Sequence, residues 1–389
     1  MKIGILLSRF PYPLEKGDKL RAFHQIKSLS KNHELYVCAL STEKVDSKSY
    51  ELVKSYCKEI TIIRLHFIFV GLHLIYGLFF SRLPLQVLYF YDRSAKNKII
   101  RFFKNFEIDH LYCQLIRTSE YLKDFNNCPK TLDYMDALSS GMSKRIEKCP
   151  LYMKPFVKIE AKRLKRYEHF IFKHFDHKTI ISEQDRKIIV HAKNNTIKVI
   201  PNGVDFDYFK PIEAPIKHDI IFTGNMSYAP NITAASFLIQ KVMPLLWKDD
   251  ETLTVVIAGA NPSRKVKLLA SKNVEVTGWL EDIRDSYAAS KIFVAPMQIG
   301  SGLQNKLLEA MAMELPCITT KLANNALNAI HNESILIANT PEEFAAYIKA
   351  LLKDQNKRQL VAERGNKFVK ARYNWDETTK QLEKLFLTN

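Results

Sequence analysis

The sequence predicts an α/β protein built from two doubly wound parallel-sheet domains that face each other across a cleft. Three observations predict it. Short apolar runs alternate with segments whose apolar residues recur every three or four positions, the pattern of buried parallel strands covered by helices. That series occurs twice, on either side of a turn-rich stretch near 201–215. The length, 389 residues, suits about two domains.

Taken in order, the strand-like runs of the first half are KIGILLS (2–8), ELYVCAL (34–40), EITIIRL (59–65), HLYCQL (110–115) and TIIS (179–182). IKVIPNG (197–203) closes that half. The second half has HDIIFTG (218–224), LTVVIAG (253–259), VEVTG (274–278), KIFVAP (291–296) and CITT (317–320). Helical spacing marks NITAASFLIQKVMPLLWK (231–248), LQNKLLEAMAMEL (303–315) and YNWDETTKQLEKLF (373–386). PNGVDFDYFKP (201–211) is the expected linker, with an Asn-Gly turn between bracketing prolines. Its Asp205-x-Asp207 spacing suits either a divalent metal or a simple turn, and the turn is the better reading. Ligands of doubly wound sheets bind at the carboxyl ends of the strands.

Composition narrows the function. The six cysteines, at 38, 57, 113, 128, 149 and 317, form no C-x-x-C pair, which argues against a zinc cluster or a disulfide framework. The amino terminus, MKIGILLSRF, reads as a first strand and not as a signal peptide. Residues 1–200 carry 36 Lys+Arg against 20 Asp+Glu, whereas residues 201–389 carry 22 against 21. The net +17 therefore lies almost wholly in the first half. A basic domain attracts nucleic acid, an anionic membrane or a phosphorylated substrate. No nucleic-acid-binding module is recognisable in it.

GSGLQNKLLEAMAMELPCITT (300–320) carries the main chemical signal. Gly300 and Gly302 let a ligand approach the backbone, and the helix expected from about Leu303 offers unpaired N–H groups that bind phosphate. Asn305, Lys306 and Glu309 share a face. Lys306 suits a diphosphate, and the Glu309 carboxylate suits the 2′,3′-diol of a ribose. The alternative is an ordinary surface Lys306–Glu309 pair.

This stretch resembles the signature segment of the family-4 retaining glycosyltransferases of the GT-B fold. IPNGVDFDYFKP resembles that family's linker. FTGNMSYAPNITAASFL (222–238) resembles the opening of its donor domain, and VTGWLEDIRDSYAASKIFVAP (276–296) its base-binding region. RFPYPLEKGDKLRAFHQIKSLSK (9–31) resembles the opening loop and helix of a bacterial subgroup that builds polysaccharides and glycan chains. The resemblance implies two Rossmann-like domains. Residues 1–203, with a returning helix at 371–389, would take the acceptor, and residues 204–370 the nucleotide-sugar donor. It implies donor-binding roles for Gly17, Asn225, Gly278, Gly300, Ser301, Gly302, Leu303, Lys306 and Glu309. There are departures. The first of the family's two signature glutamates falls at Ser301. The Arg–Lys pair usual after the first donor-domain strand is missing from 224–231. The family's histidine after the HLYCQL strand is replaced by Gln114.

Gln114, Asp133 and Asp136 are the catalytic candidates on the acceptor side. Asp133 and Asp136 are read either as groups that bind acceptor hydroxyls and take a proton or as a cap and a structural aspartate. Gly17 is either a phosphate contact or an ordinary turn, and Arg117 is a weaker acceptor candidate. LHFIFVGLHLIYGLFF (65–80) is too short to span a bilayer and reads as a membrane-surface helix, an acceptor-facing helical pair or a buried helix. KPFVKIEAKRLKRYEHFIFKHF (154–175) has a basic face that meets phospholipid or solvent.

The expected function is a cytoplasmic hexosyltransferase, peripheral on the inner membrane face. It would move a sugar with retention from a nucleotide-diphosphate-sugar to a glycan or lipid-linked acceptor in surface polysaccharide synthesis. An anionic membrane surface is an expected partner and nucleic acid is not. No cofactor and no metal is expected. A nucleotide-sugar epimerase of the same shape and a basic nucleic-acid-binding protein are the alternatives.

Overall fold

The computed structural model describes residues 1–65, 71, 74, 75, 77, 78, 80–300 and 302–388. The chain divides into two compact units, Met1–Pro201 with Trp375–Asn389, and Asn202–Asn374. The divisions fall at 201/202 and 374/375, a few residues from the expected 203/204 and 370/371.

The first unit holds seven strands: β1 (Lys2–Leu7), β2 (Glu34–Ser41), β3 (Glu59–Arg64), β4 (His110–Gln114), β5 (Lys130–Asp133), β6 (His177–Ile180) and β7 (Lys198–Val199). Their order is β3-β2-β1-β4-β5-β6-β7 and every pairing is parallel. Alternation along β2 shows why nearly every residue there is apolar. Leu35, Val37 and Ala39 enter one core, and Tyr36, Cys38 and Leu40 enter the core on the other face. The sheet reverses direction between β1 and β4, where a doubly wound sheet opens a crevice at its carboxyl edge.

The second unit holds β8 (His218–Thr223), β9 (Val255–Ala258), β10 (Val274–Gly278), β11 (Ser290–Ala295), β12 (Cys317–Thr319) and β13 (Leu336–Ile337), ordered β10-β9-β8-β11-β12-β13 and again all parallel. Its reversal lies between β8 and β11. Short strands such as VVIA are wholly buried, as both faces are covered by helices.

Helix boundaries follow local chemistry. Asp46, Asp92, Ser182 and Thr320 cap helices by accepting a backbone N–H from the first turn. Thr340 and Glu343 form a capping box. The expected helix over 231–248 is broken into Ala229–Phe237, a π turn Leu238–Val242 and Met243–Trp247. Pro244 has no N–H to donate, so the turn before it widens. In the linker, Asp205 Oδ1 accepts the backbone N–H groups of Asp207 and Tyr208, both at 3.1 Å. That is the turn use of an aspartate.

The helix Trp375–Phe386 packs on the helix Gly17–Leu29 of the first unit. Trp375 stacks on His24 with ring centroids 4.9 Å apart, and Lys31 pairs with Asp376 at 2.8 Å. Phe386 sits 4.4 Å from the His110 ring.

Candidate functional site

At the reversal of the second unit, the loops after β8 and β11 converge. The helix Asn305–Ala312 starts just after the β11 loop, and no side chain caps its amino end. The Leu307 N–H is taken by the Gln304 carbonyl at 2.9 Å, which leaves the N–H groups of Asn305 and Lys306 at the helix start for an anion. Gly300 has a left-handed φ of 95°, and Ser301 lies outside the described residues. Gly302 and Leu303 complete the loop, with the Gly302 carbonyl held by Gln304 Nε2 at 2.8 Å. Leu303 packs on the core.

Lys306 reaches back from this helix to the β8 loop. Its ammonium donates to Asn231 Oδ1 and lies 4.8 Å from the centre of the Phe222 ring. Asn231 in turn donates to the Asn225 carbonyl at 2.9 Å. A Cβ on Gly224 would stand 2.6 Å from Asn231 Nδ2 and 3.1 Å from Lys306 Nζ, so only glycine lets the lysine lie there. Dense protein around the half-exposed lysine pushes it down to about 7, and Glu309 pulls the other way.

Glu309 lies one turn further on. Tyr287 donates to its Oε2 at 3.0 Å, and Tyr287 is itself held by Thr223 at 2.8 Å. Burial raises the Glu309 carboxyl, with the Tyr287 hydrogen bond and Lys306 opposing. Among the described residues, Tyr287 is the one side chain that hydrogen-bonds this carboxylate. Tyr287 escaped the sequence reading because one tyrosine in a helical SYAAS run carries no local signal.

Three strands of this sheet end in glycine. Gly224, Gly259 and Gly278 follow or close β8, β9 and β10, all with positive φ. They touch in series: Gly259 donates its N–H to the Gly278 carbonyl at 3.2 Å, and a Cβ on Gly259 would meet Gly224 O at 2.0 Å. The result is a backbone floor without side chains at the carboxyl edge. Beside it stand two exposed aromatics, Tyr228 and Trp279, which the sequence reading did not single out. Asn225, expected to bind donor, uses its Oδ1 on the N–H and hydroxyl of Ser227 at 3.0 and 2.7 Å. It shapes the loop, in which the N–H groups of Gly224, Met226, Ser227 and Tyr228 are all bonded within the protein.

In the first unit the acceptor-side candidates separate. Asp133 has no exposed surface. Its oxygens accept from Arg21 Nε (2.6 Å), Tyr112 OH (2.6 Å) and Thr179 Oγ1 (2.9 Å). A carboxylate so enclosed cannot meet an acceptor hydroxyl, and the catalytic reading of Asp133 is corrected to a framework one. Gln114 is also buried, and its amide donates to the Asp18 carbonyl at 3.1 Å. It holds the first turn of the helix that begins at Gly17, and the expectation that it touches a sugar is corrected accordingly. Gly17 is exposed at that helix start, in the first unit, while the other donor candidates lie in the second.

Asp136 differs. It follows Met135, whose φ of 59° is left-handed, a conformation that side chains adopt at a cost. Asp136 is exposed, with much protein around its carboxyl. That crowding, with Asp185 and Asp133 nearby, pushes it up to about 7 against the pull of Arg21 and Arg117. A carboxyl at that value is suited to proton transfer near neutrality.

The first unit also contains a cavity of about 740 Å³ at the carboxyl ends of β1 and β2. Its apolar lining includes Leu40, Leu65, Leu74 and Phe90, and its charged lining is Arg9, Lys16, Lys19, Lys44 and Arg117 with Glu43, Asp46 and Glu160. The Arg9 and Arg117 guanidiniums both lie over the Phe90 ring, at 5.7 and 5.6 Å, and both pair with Asp18. The two cations share the Asp18 carboxylate, and Arg117 also lies in the field of Asp136 and bonds Gln86 Oε1 at 3.2 and 3.0 Å. The sequence reading missed Arg9, because only the fold brings residues 9, 18, 90 and 117 together. Among the described residues no group of three or more His, Cys, Asp or Glu side chains is placed to hold a metal.

Comparison with known proteins follows this division. Residues 217–354 match the model of the family described as Glycosyl transferases group 1. The chain is 23% identical over 397 residues to an uncharacterized 44.6 kDa protein in the cps region of Klebsiella pneumoniae, with 96% of each chain covered. It is 24% identical over 196 residues to the UDP-Gal:alpha-D-GlcNAc-diphosphoundecaprenol alpha-1,3-galactosyltransferase of Escherichia coli, covering 44% of this chain and 49% of that one. Sucrose-phosphate synthase from Thermosynechococcus elongatus superposes with a TM-score of 0.71 at 15% identity, over 99% of this chain and 98% of the other.

Proposed function

We propose that this chain, a glycosyltransferase of the GT-B fold with a group 1 domain in its second unit, moves a hexosyl unit with retention from a nucleotide-diphosphate-sugar to a lipid-linked glycan acceptor. The observation that carries the donor part is the convergence at the reversal of the second sheet. Lys306, the open amino end of Asn305–Ala312 and the Gly224 loop meet there, with Glu309 one turn away. The lysine and the helix start neutralise a diphosphate, and the Gly224 turn leaves room for it. Glu309, oriented by Tyr287, takes a ribose diol.

The acceptor oxygen attacks the anomeric carbon on the face that the diphosphate leaves. The carbon–oxygen bond to the diphosphate breaks, and the acceptor proton passes to the departing phosphate oxygen. Lys306 and the helix amides stabilise the charge that develops on that phosphate. No protein nucleophile and no metal is assigned a role. The first-unit cavity, lined by apolar side chains and by five cations against three carboxylates, suits an acceptor with a lipid part and an anionic part. The Escherichia coli relative, a UDP-Gal:alpha-D-GlcNAc-diphosphoundecaprenol alpha-1,3-galactosyltransferase, supports the same reading, and the Klebsiella pneumoniae relative comes from a cps region.

The test is a thermal-shift and calorimetric screen of UDP, GDP, dTDP and ADP, followed by transfer assays in EDTA. One nucleotide should raise the melting midpoint. Glu309→Ala should weaken it by about 1.5–3 kcal/mol and Tyr287→Phe by about 0.5–1.5 kcal/mol, the range for charged and ordinary hydrogen bonds. Equal affinity in Glu309→Ala sinks the ribose role, and activity lost in EDTA and restored by magnesium sinks the metal-free mechanism.

A further inference from the structure

The 3₁₀ turn Leu151–Met153 and the first turns of the helix Lys154–Phe172 form a tip on the first unit. Five large apolar side chains there face solvent: Leu151 (81% exposed), Tyr152 (75%), Met153 (43%), Phe156 (53%) and Ile159 (49%). Tyr152, Phe156 and Ile159 are four and three apart, so they form one stripe. The opposite face of the helix, with Leu164, Tyr167 and Ile171, is buried in the core. The stripe is therefore surplus to folding. An exposed apolar patch of this kind marks an interaction surface.

Charge says what covers it. Between 144 and 166 the chain has nine Lys and Arg residues against two glutamates, Glu147 and Glu160. Glu160 is buried and caps a neighbouring helix through the N–H groups of Leu85 and Gln86, at 2.9 and 3.2 Å. Lys158 and Lys162 are exposed beside the stripe. A second copy would set these cations against their own kind. An anionic lipid surface satisfies both components, as the apolar stripe enters the acyl boundary and the lysines meet phosphates. Among the described residues no helix is long and apolar enough to cross a membrane, so the contact is interfacial. Met142 and Glu160, from the helices Leu138–Lys148 and Lys154–Phe172, also line the 740 Å³ cavity. The same helical pair thus carries both the patch and a wall of the cavity.

We infer that the tip at 151–162 is a docking surface for an anionic phospholipid bilayer, which brings the first-unit cavity to lipid-borne acceptors. The inference rests on the lipid-linked acceptor of the reading above. It differs from the expectation placed on 65–80, where Phe67, Phe69, Leu72 and Phe79 lie outside the described residues.

The test is flotation of the full chain with vesicles of phosphatidylcholine alone or mixed in equal parts with phosphatidylglycerol, at low and high salt. Wild type should float with the anionic vesicles, and salt should weaken binding without abolishing it. Phe156→Ser with Ile159→Ser should lower partitioning about tenfold or more and remove the salt-resistant part. Lys158→Gln with Lys162→Gln should lower low-salt binding about fivefold per lysine. Phe156→Trp, which keeps the surface apolar, should show a blue-shifted emission on anionic vesicles, a readout independent of whether the serine variant folds. Wild type that ignores anionic vesicles overturns both the surface and the inner-face expectation. Wild-type binding that the variants do not change, with no emission shift, overturns the surface alone. A fall in mass by light scattering with unchanged flotation would mean that the stripe joins copies of the chain, and it would also overturn the proposal.

Discussion

With the donor diphosphate placed at Lys306 as proposed, its binding should be sensitive to pH. Burial lowers it to about 7 in the free protein. A diphosphate beside the ammonium favours the charged form and raises the value again. Below about pH 7 the lysine is already protonated and binding takes up no proton. Above it, binding draws a proton from solvent, and affinity falls by up to about tenfold per pH unit until the bound-state value is reached. Calorimetry at about pH 8 in buffers of different ionisation enthalpy should therefore show uptake approaching one proton. Lys306→Met should bind more weakly and lose that uptake, and the same uptake in Lys306→Met would assign the proton elsewhere. Asp136, also near 7, titrates in the first unit, so it would shift a pH–rate profile and leave nucleotide calorimetry unchanged.

At the scale of elements, the carboxyl edge of β8, β9 and β10 depends on three glycines that touch. Gly259→Ala places a methyl 2.0 Å from the Gly224 carbonyl at a φ of 137°. It should cost about 2–4 kcal/mol from strain and overpacking together. Gly278 has open space around it and a φ of 77°, so Gly278→Ala should cost only about 1–2 kcal/mol. Urea unfolding of the two variants checks the order, and a milder Gly259→Ala would show that the floor can yield. Much of this edge was legible. FTG, IAG and VTG each show an apolar run cut by glycine, and runs of that kind marked most strands of both sheets, β5 (Lys130–Asp133) not among them. β13, two residues long, and the π turn at Leu238–Val242 were not legible, since neither leaves a periodic trace. The helix-start loop and its Lys306 and Glu309 were visible as a spaced set. Tyr287, Arg9 and the true surroundings of Asp133 were not, because each depends on a partner dozens of residues away.

The whole molecule is two units of unequal continuity. The second is one uninterrupted stretch, whereas the first is completed by Trp375–Phe386. Trp375 is 6% exposed and stacked on His24, so Trp375→Ala should cost about 3–5 kcal/mol. The loss should fall on one unit. Hydrogen exchange should speed up across residues 1–200 while 202–374 and the nucleotide-induced melting shift hold. Uniform loss of protection would mean that the units melt as one. The same topology sets a timetable during synthesis. The ribosome delivers the basic first sheet early, but the helix that seals its face appears only after the whole second unit has emerged. The second unit can therefore reach its final form first. Until then Leu29, Tyr112 and the rest of the uncovered face remain a nascent chain's most exposed apolar surface. Chaperone dependence in this protein should accordingly belong to its first half and last until its final helix is made.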